Sequence, residues 1–221
     1  PMTFPATANV ILMQRLKPVF ADIEPGTLTI DPQKIEAVIT PRTRAIIPVH
    51  FAGHPCDMTL IQELADKHKL VIIEDAAHAL ESEYKGQKIG NMGNATAFSF
   101  YANKNITTGE GGMLVTNDDA LAENIRIMRL QGISRDAWKR FGKSGFAHWE
   151  QTLAGHKCNM TDLNASLGLH QIKKIERFMI LRKKYVSMYD NAFADVPELE
   201  TLAGRDYVTS AHHIYIIALQ L

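Results

Sequence analysis

Three short stretches of this sequence hold residue types that could act together on one small molecule. Glu74-Asp75-Ala76-Ala77-His78 follows the apolar run Leu70 to Ile73, Ser99 lies in Phe98-Ser99-Phe100-Tyr101, and Lys104-Asn105 precedes Gly109-Glu110-Gly111-Gly112. Singly, each has an ordinary explanation. A strand-end Asp serves many folds, a lone Lys is most often a surface charge, and a glycine cluster before a strand is most often a turn. The conjunction is more specific: an Asp, a His three residues on, a Ser, then a Lys five residues after it, interleaved with strands. Such a set suits pyridoxal 5'-phosphate. A lysine amine forms a Schiff base and later moves protons. A carboxylate pairs with the pyridine nitrogen, a flat side chain stacks on the ring, and hydroxyls with backbone amides hold the phosphate.

These residues must be positioned by strands, and the chain has the pattern for them. Short apolar runs alternate with amphipathic segments, as in a parallel sheet built from βαβ units, and open α/β sheets place ligands at strand C-terminal ends. Strands are expected at Pro18 to Ala21 (ending at Asp22), Ala45 to Val49, Leu70 to Ile73, Thr96 to Tyr101 and Met113 to Thr116. Pro48 places the second of these near an edge or weakens it. Helices are expected from Pro32 to Ile39 with Asp31 as cap, after Asp57, after Asp118, and over roughly 161–173 and 175–194. In the last, Phe178, Leu181, Tyr185, Met188 and Tyr189 form a stripe expected to pack into the core. Ser134 to Ala154 is a long basic loop, either solvated or reaching phosphates at a neighbouring subunit. Ile214 to Leu219 reads as a strand with nothing after it to cover or pair it, an aggregation hazard that points to a chain cut from something longer.

Composition narrows the function classes. Of 221 residues 46% are hydrophobic and 22% charged, enough for one substantial core. Lys plus Arg equals Asp plus Glu at 24 each, so the basic excess of a nucleic-acid binder is lacking. No apolar run approaches the ~20 residues that span a bilayer, and the start lacks a signal-peptide pattern. The two cysteines, Cys56 and Cys158, read as reduced thiols, and the cytoplasm is the expected compartment. Neither a G-x-x-x-x-G-K-[ST] loop nor a G-x-G-x-x-G fingerprint occurs, which counts against a plain nucleotide-binding module. His54-Pro55 and His212-His213 lack metal-ligand spacing, and His50 fits hydrogen bonding as well as catalysis.

Beyond these readings, the sequence resembles the DegT/DnrJ/StrS family of sugar aminotransferases. The resemblance runs over nearly all the chain and rests on Pro1-Met2-Thr3-Phe4, Pro41 to Gly53 (PRTRAIIPVHFAG), Glu74 to His78 and Phe98 to Gly112 (FSFYANKNITTGEGG). It implies an α/β fold of the aspartate-aminotransferase type, a mainly parallel sheet flanked by helices. Residues 1–160 would be the cofactor-binding large domain, lacking its N-terminal part. Residues 161–221 would be the connecting helices and first strand of a small C-terminal domain. Lys104 would carry pyridoxal 5'-phosphate, Asp75 would meet the pyridine nitrogen, and His78 would stack on one ring face with Phe4 near the other. Ser99 would bind the phosphate. Lys104 also argues against the sugar-dehydratase branch, which replaces the lysine with histidine. The substrates implied are a nucleotide-linked keto-sugar and glutamate, in polysaccharide biosynthesis, and the implied assembly is a homodimer with shared active sites.

Gly155 to Met160 resembles a motif that reaches the partner's site, through Lys157 or Asn159, although His156 and Cys158 stand where aromatics are usual. The family's phosphate-gripping Ser-Gly-Thr turn would precede Pro1. The competing expectation is therefore a non-catalytic piece that keeps the fold and the dimer surface.

Overall fold

The computed structural model describes residues 1–133 and 150–220. Its central sheet has strand order β1 (Ala45–Ile46), β2 (Val71–Asp75), β5 (Ala95–Ser99), β6 (Gly112–Val115). The first three run parallel and β6 is antiparallel to β5. Two smaller sheets accompany it. One orders β4 (Gln87–Lys88), β3 (Glu83–Tyr84) and β8 (Val208–Thr209), and the other pairs β7 (Leu199–Thr201) with β9 (Ile217–Leu219). The α/β class and mainly parallel sheet expected from the sequence are found.

The helices are α1 (Pro5–Met13), α2 (Pro32–Val38), α3 (Met58–His68), α4 (Asp119–Met128), α5 (Asp162–Ile172) and α6 (Ile175–Phe193). Three start signals act as read: Asp31, Asp57 and Asp118 each accept a backbone N–H of the first turn, which would otherwise lack a partner, and Thr161 does the same for α5. Helix α3 stops where Lys69 turns left-handed, φ 56°.

The core forms where α2 and α3 cover one sheet face. Ile35, Met58, Ile61 and Ala65 pack against Ile46 and Ile72, with Cys56, Ala76, Ala79 and Tyr84 completing the cluster. Along β2 burial alternates: Val71 and Ile73 are exposed, Ile72 and Glu74 buried. Because successive strand residues point to opposite faces, Glu74 goes under α3 while Asp75 emerges on the other side. Register then aligns the site. Asp75 pairs with Ala97, and Ser99, two residues further along β5, shares that face.

Several expectations need correction. Pro18 to Ala21 is not a strand; Val19 and Phe20 are exposed, and only an isolated bridge, Ile23 with Ile30, follows. Strand propensity without a neighbour to pair with does not make a strand. Strand β1 is cut to two residues, and pairing resumes after Pro48 only at the Val49–Asp75 bridge. On α6, Phe178 packs beside Phe100, Ile106 and Ile175, whereas Tyr185, Met188 and Tyr189 are half exposed. Helical spacing reveals a stripe, not what covers it. The terminal strand is paired, since β9 lies antiparallel to β7, although its residues are exposed. Helix α1 had no counterpart in the sequence reading. Of the basic loop expected over Ser134 to Ala154, residues 134–149 lie outside the described residues.

Candidate functional site

Asp75 and Ser99 share one face at the C-terminal ends of β2 and β5, and His78 and Lys104 lie within electrostatic reach of each other and of Asp75. Asp75 closes β2 and is held by two donors: Thr7 Oγ1 reaches its Oδ2 at 2.7 Å, and the Ala77 N–H reaches Oδ1 at 3.1 Å. The second bond makes a local turn that carries the chain from the strand toward His78. Lys104 follows β5 in a turn whose Lys104 N–H bonds the Tyr101 carbonyl at 3.0 Å. Its side chain is half buried. Burial holds the Lys104 ammonium below its usual pKa, and the Asp75 carboxylate opposes that shift.

His78 lies within the same electrostatic neighbourhood. Burial first, and the Lys104 charge second, push its pKa down to about 4, against the pull of Asp75. Its Nδ1 is buried and makes no hydrogen bond among the described residues. Its ring stacks on His213, with centroids 4.3 Å apart and planes 30° from parallel. Ser99 Oγ accepts the Tyr101 N–H at 3.3 Å, which leaves its own O–H free to donate. Phe4 is 71% exposed and precedes α1, its carbonyl accepting the Thr7 N–H at 3.1 Å. Asn159 is half buried just before α5, and Lys157 is exposed, its backbone bridged to Leu130.

Behind the site, His50 and Glu74 form a fully buried pair at 2.9 Å. The Cys56 N–H donates to His50 Nδ1 at 3.1 Å, so the ring proton sits on Nε2 and is donated to Glu74 Oε2. Asn94 Nδ2 occupies the other carboxylate oxygen at 2.9 Å. Backbone bonds lock the same place: the His50 N–H bonds the Asp75 carbonyl at 3.0 Å, and the Asp75 N–H bonds the Pro48 carbonyl at 2.9 Å. His50 is therefore part of the frame that fixes Asp75.

The C-terminal segment enters through Gly53. Its carbonyl accepts from Ser82 Oγ at 2.6 Å and from the Ala211 N–H at 3.1 Å. At φ +91° this glycine has backbone atoms of His78 and His212 only 3.0 Å from where a Cβ would sit. Ala52 and His212, both non-glycine residues with positive φ, flank the junction.

Comparisons with known proteins identify the family and the fold. The model of the DegT/DnrJ/EryC1/StrS aminotransferase family matches residues 1–221. The chain belongs to that family. Within the DegT/DnrJ/EryC1/StrS family, the spore coat polysaccharide biosynthesis protein SpsC of Bacillus subtilis is 48% identical over 217 residues, 98% of this chain and 56% of SpsC. Helicobacter pylori PseC, described as an aminotransferase in pseudoaminic acid biosynthesis, superposes with TM-score 0.91 at 36% identity, over 100% of this chain and 57% of PseC. The putative sugar aminotransferase Spr1654 of Streptococcus pneumoniae, in its PMP form, superposes with TM-score 0.92 at 34% identity, over 99% of this chain and 60% of that one. Spr1654 is also known in a PLP form. The chain thus spans somewhat over half the length of these family members.

The sequence assigned no role to Thr7, Asn94, Asn105 or His213. Pro5 at the start of α1 was a usable signal for a helix carrying Thr7. Asn105 and His213, 108 residues apart, had none.

Proposed function

We propose that this chain carries the cofactor lysine and ring-binding side chains of a pyridoxal-phosphate-dependent aminotransferase acting on a nucleotide-linked keto-sugar, with glutamate as amino donor. The observation that carries the reading is the meeting of Lys104, Asp75 and His78 at adjacent strand ends, in a member of a sugar-aminotransferase family. The residues fit the cofactor. A half-buried amine, a carboxylate held by two donors and a flat imidazole with an unpartnered nitrogen suit a flat, cationic heterocycle. When bound, pyridoxal phosphate supplies an electron sink that makes a Cα–H bond acidic.

The protein's own contributions follow from its geometry. Burial raises the share of Lys104 that is unprotonated, which makes Nζ the better nucleophile and later a proton carrier. Thr7 and Ala77 aim the Asp75 carboxylate at the pyridine nitrogen. His78, neutral over the working range, offers a flat face without placing a second cation beside Lys104. Ser99, with its free O–H on the Asp75 face of the sheet, serves the phosphate. Phe4 would lie near the other ring face, and Asn159 or Lys157 would reach the site of a partner copy in a homodimer. With soluble nucleotide sugars as substrates, the cytoplasm is the compartment that suits the reaction.

The test is an absorbance spectrum of the folded chain with added pyridoxal phosphate, before and after borohydride, followed by mass mapping. A reduced adduct on Lys104 and a glutamate-dependent spectral change are expected, both lost in Lys104→Ala. A folded chain that gives no adduct overturns the reading in favour of a piece that keeps the fold alone.

A further inference from the structure

His213 is bound to four separate parts of the molecule. Its N–H donates to the Ala52 carbonyl at 2.9 Å, and its own carbonyl accepts from Arg182 on α6 at 3.0 Å. Its ring stacks on His78, and its Nδ1 lies 2.9 Å from Asn105 Oδ1. Asn105, beside Lys104, donates through Nδ2 to the Ala211 carbonyl at 2.9 Å. That bond fixes the amide's orientation, leaving Oδ1 as the acceptor, so His213 holds its proton on Nδ1. A fixed neutral imidazole is what a second imidazole can stack on at 4.3 Å, since two cations there would repel.

His78 lacks any comparable anchor. Its Nδ1 has no hydrogen-bond partner among the described residues, and its other aromatic neighbour, Phe51, is 6.1 Å away and tilted by 51°. The plane of His78 is therefore set from the His213 side. We propose that His213 is a positioning residue: it backs His78 so that the ring presents a fixed face to the cofactor, and through Asn105 it joins that face to the lysine turn. The proposal rests on the reading that His78 meets pyridoxal phosphate. It makes cofactor binding depend on a segment 135 residues beyond His78.

Two substitutions separate the stack from the hydrogen bond. His213→Phe keeps a flat ring and loses the Asn105 bond, whereas His213→Gln keeps a donor and loses the ring. The groups whose charge acts on His78 are Lys104 and Asp75, with Lys104 and Arg182 also acting on His213, and all three stay unaltered. Without cofactor, a pH titration of the His78 ring signals in carbon-13-labelled chain should show a midpoint near 4 in the unaltered protein and in His213→Phe. In His213→Gln it should climb by about one unit or more. With cofactor, the dissociation constant for pyridoxal phosphate should weaken about five- to tenfold in His213→Gln and less than about threefold in His213→Phe.

Equal His78 midpoints and equal cofactor affinities in the three proteins would overturn the proposal, with the aminotransferase reading intact. An unaltered chain that takes up no cofactor overturns that reading itself, and this inference with it. Circular dichroism establishes that each variant is folded, and His213→Ala adds a third comparison lacking both features.

Discussion

Thr7 Oγ1 donates a 2.7 Å hydrogen bond to Asp75 Oδ2, linking α1 to the end of β2 across 68 positions. Thr3 Oγ1 feeds the same chain, donating to Thr7 Oγ1 at 2.8 Å. Helix α1 buries none of its residues, so this polar thread is a principal tie between it and the site. Thr7→Val should weaken pyridoxal phosphate binding about three- to tenfold, the effect of a net ~0.5–1.5 kcal/mol hydrogen bond. The thermal midpoint should move little, and Thr7→Ser should bind nearly as the unaltered chain does. A fluorescence titration of cofactor binding checks this.

The His50–Glu74–Asn94 network makes the opposite demand, on stability. Both members of the pair are fully buried, and removing one leaves the other without its partner. His50→Ala or Glu74→Ala should each cost about 3–5 kcal/mol in urea unfolding. The double variant should cost clearly less than the sum, because the two losses are one interaction.

Acid should loosen the stacked pair. Burial holds His78 down to about 4 and His213 down to about 3, both from an ordinary 6.5. Between those values the unfolded chain binds protons that the folded chain refuses. The pair's contribution to stability is complete above pH 6.5 and falls as pH drops from 6.5 through about 4 and on toward about 3. Urea midpoints measured from pH 7 downward should show a shallower acid slope in His78→Gln and in His213→Gln.

Gly53→Ala should destabilise the chain by about 1–3 kcal/mol, since φ +91° disfavours any side chain and backbone atoms of two segments lie only 3.0 Å from the Cβ position. Differential scanning calorimetry reads the loss directly. Because the crowding atoms belong to His78 and His212, cofactor affinity should fall as well.

The thiols should differ in reactivity. Cys56 is fully buried with Sγ donating to the Val49 carbonyl at 3.2 Å, whereas Cys158 is exposed. A thiol reagent should label Cys158 in the folded chain and reach Cys56 only after unfolding.

Local signals were legible in the sequence. Asp31, Asp57 and Asp118 announce helices by capping chemistry that acts within a few residues, and the apolar run before Asp75 announces β2. The Asp75 and Ser99 spacing was legible because adjacent parallel strand ends put them on one face, with His78 and Lys104 in the turns that follow. What stayed hidden depends on partners remote in sequence. Nothing near Pro18 to Ala21 says that no strand pairs with it, and nothing near Tyr185 says that its stripe faces outward. His213 reads as half of a histidine pair until Asn105 and His78 are seen against it, and Thr7 until Asp75 is.

The β5–β6 pairing has a consequence for how the protein reaches its final form. Thr96 to Ser99 pair antiparallel with Val115 to Gly112, so the intervening turn with Lys104 is closed by neighbours in sequence. Contacts of short sequence separation form fast, and those of long separation form late. The lysine turn should thus be shaped early, while the C-terminal segment that brings His213 to His78 and Asn105 docks late. During synthesis the chain would hold a formed lysine turn well before the segment carrying His213 reached His78 and Asn105. Pulse-labelled hydrogen exchange should protect the amides of 96–99 and 112–115 ahead of Ala211 and His213.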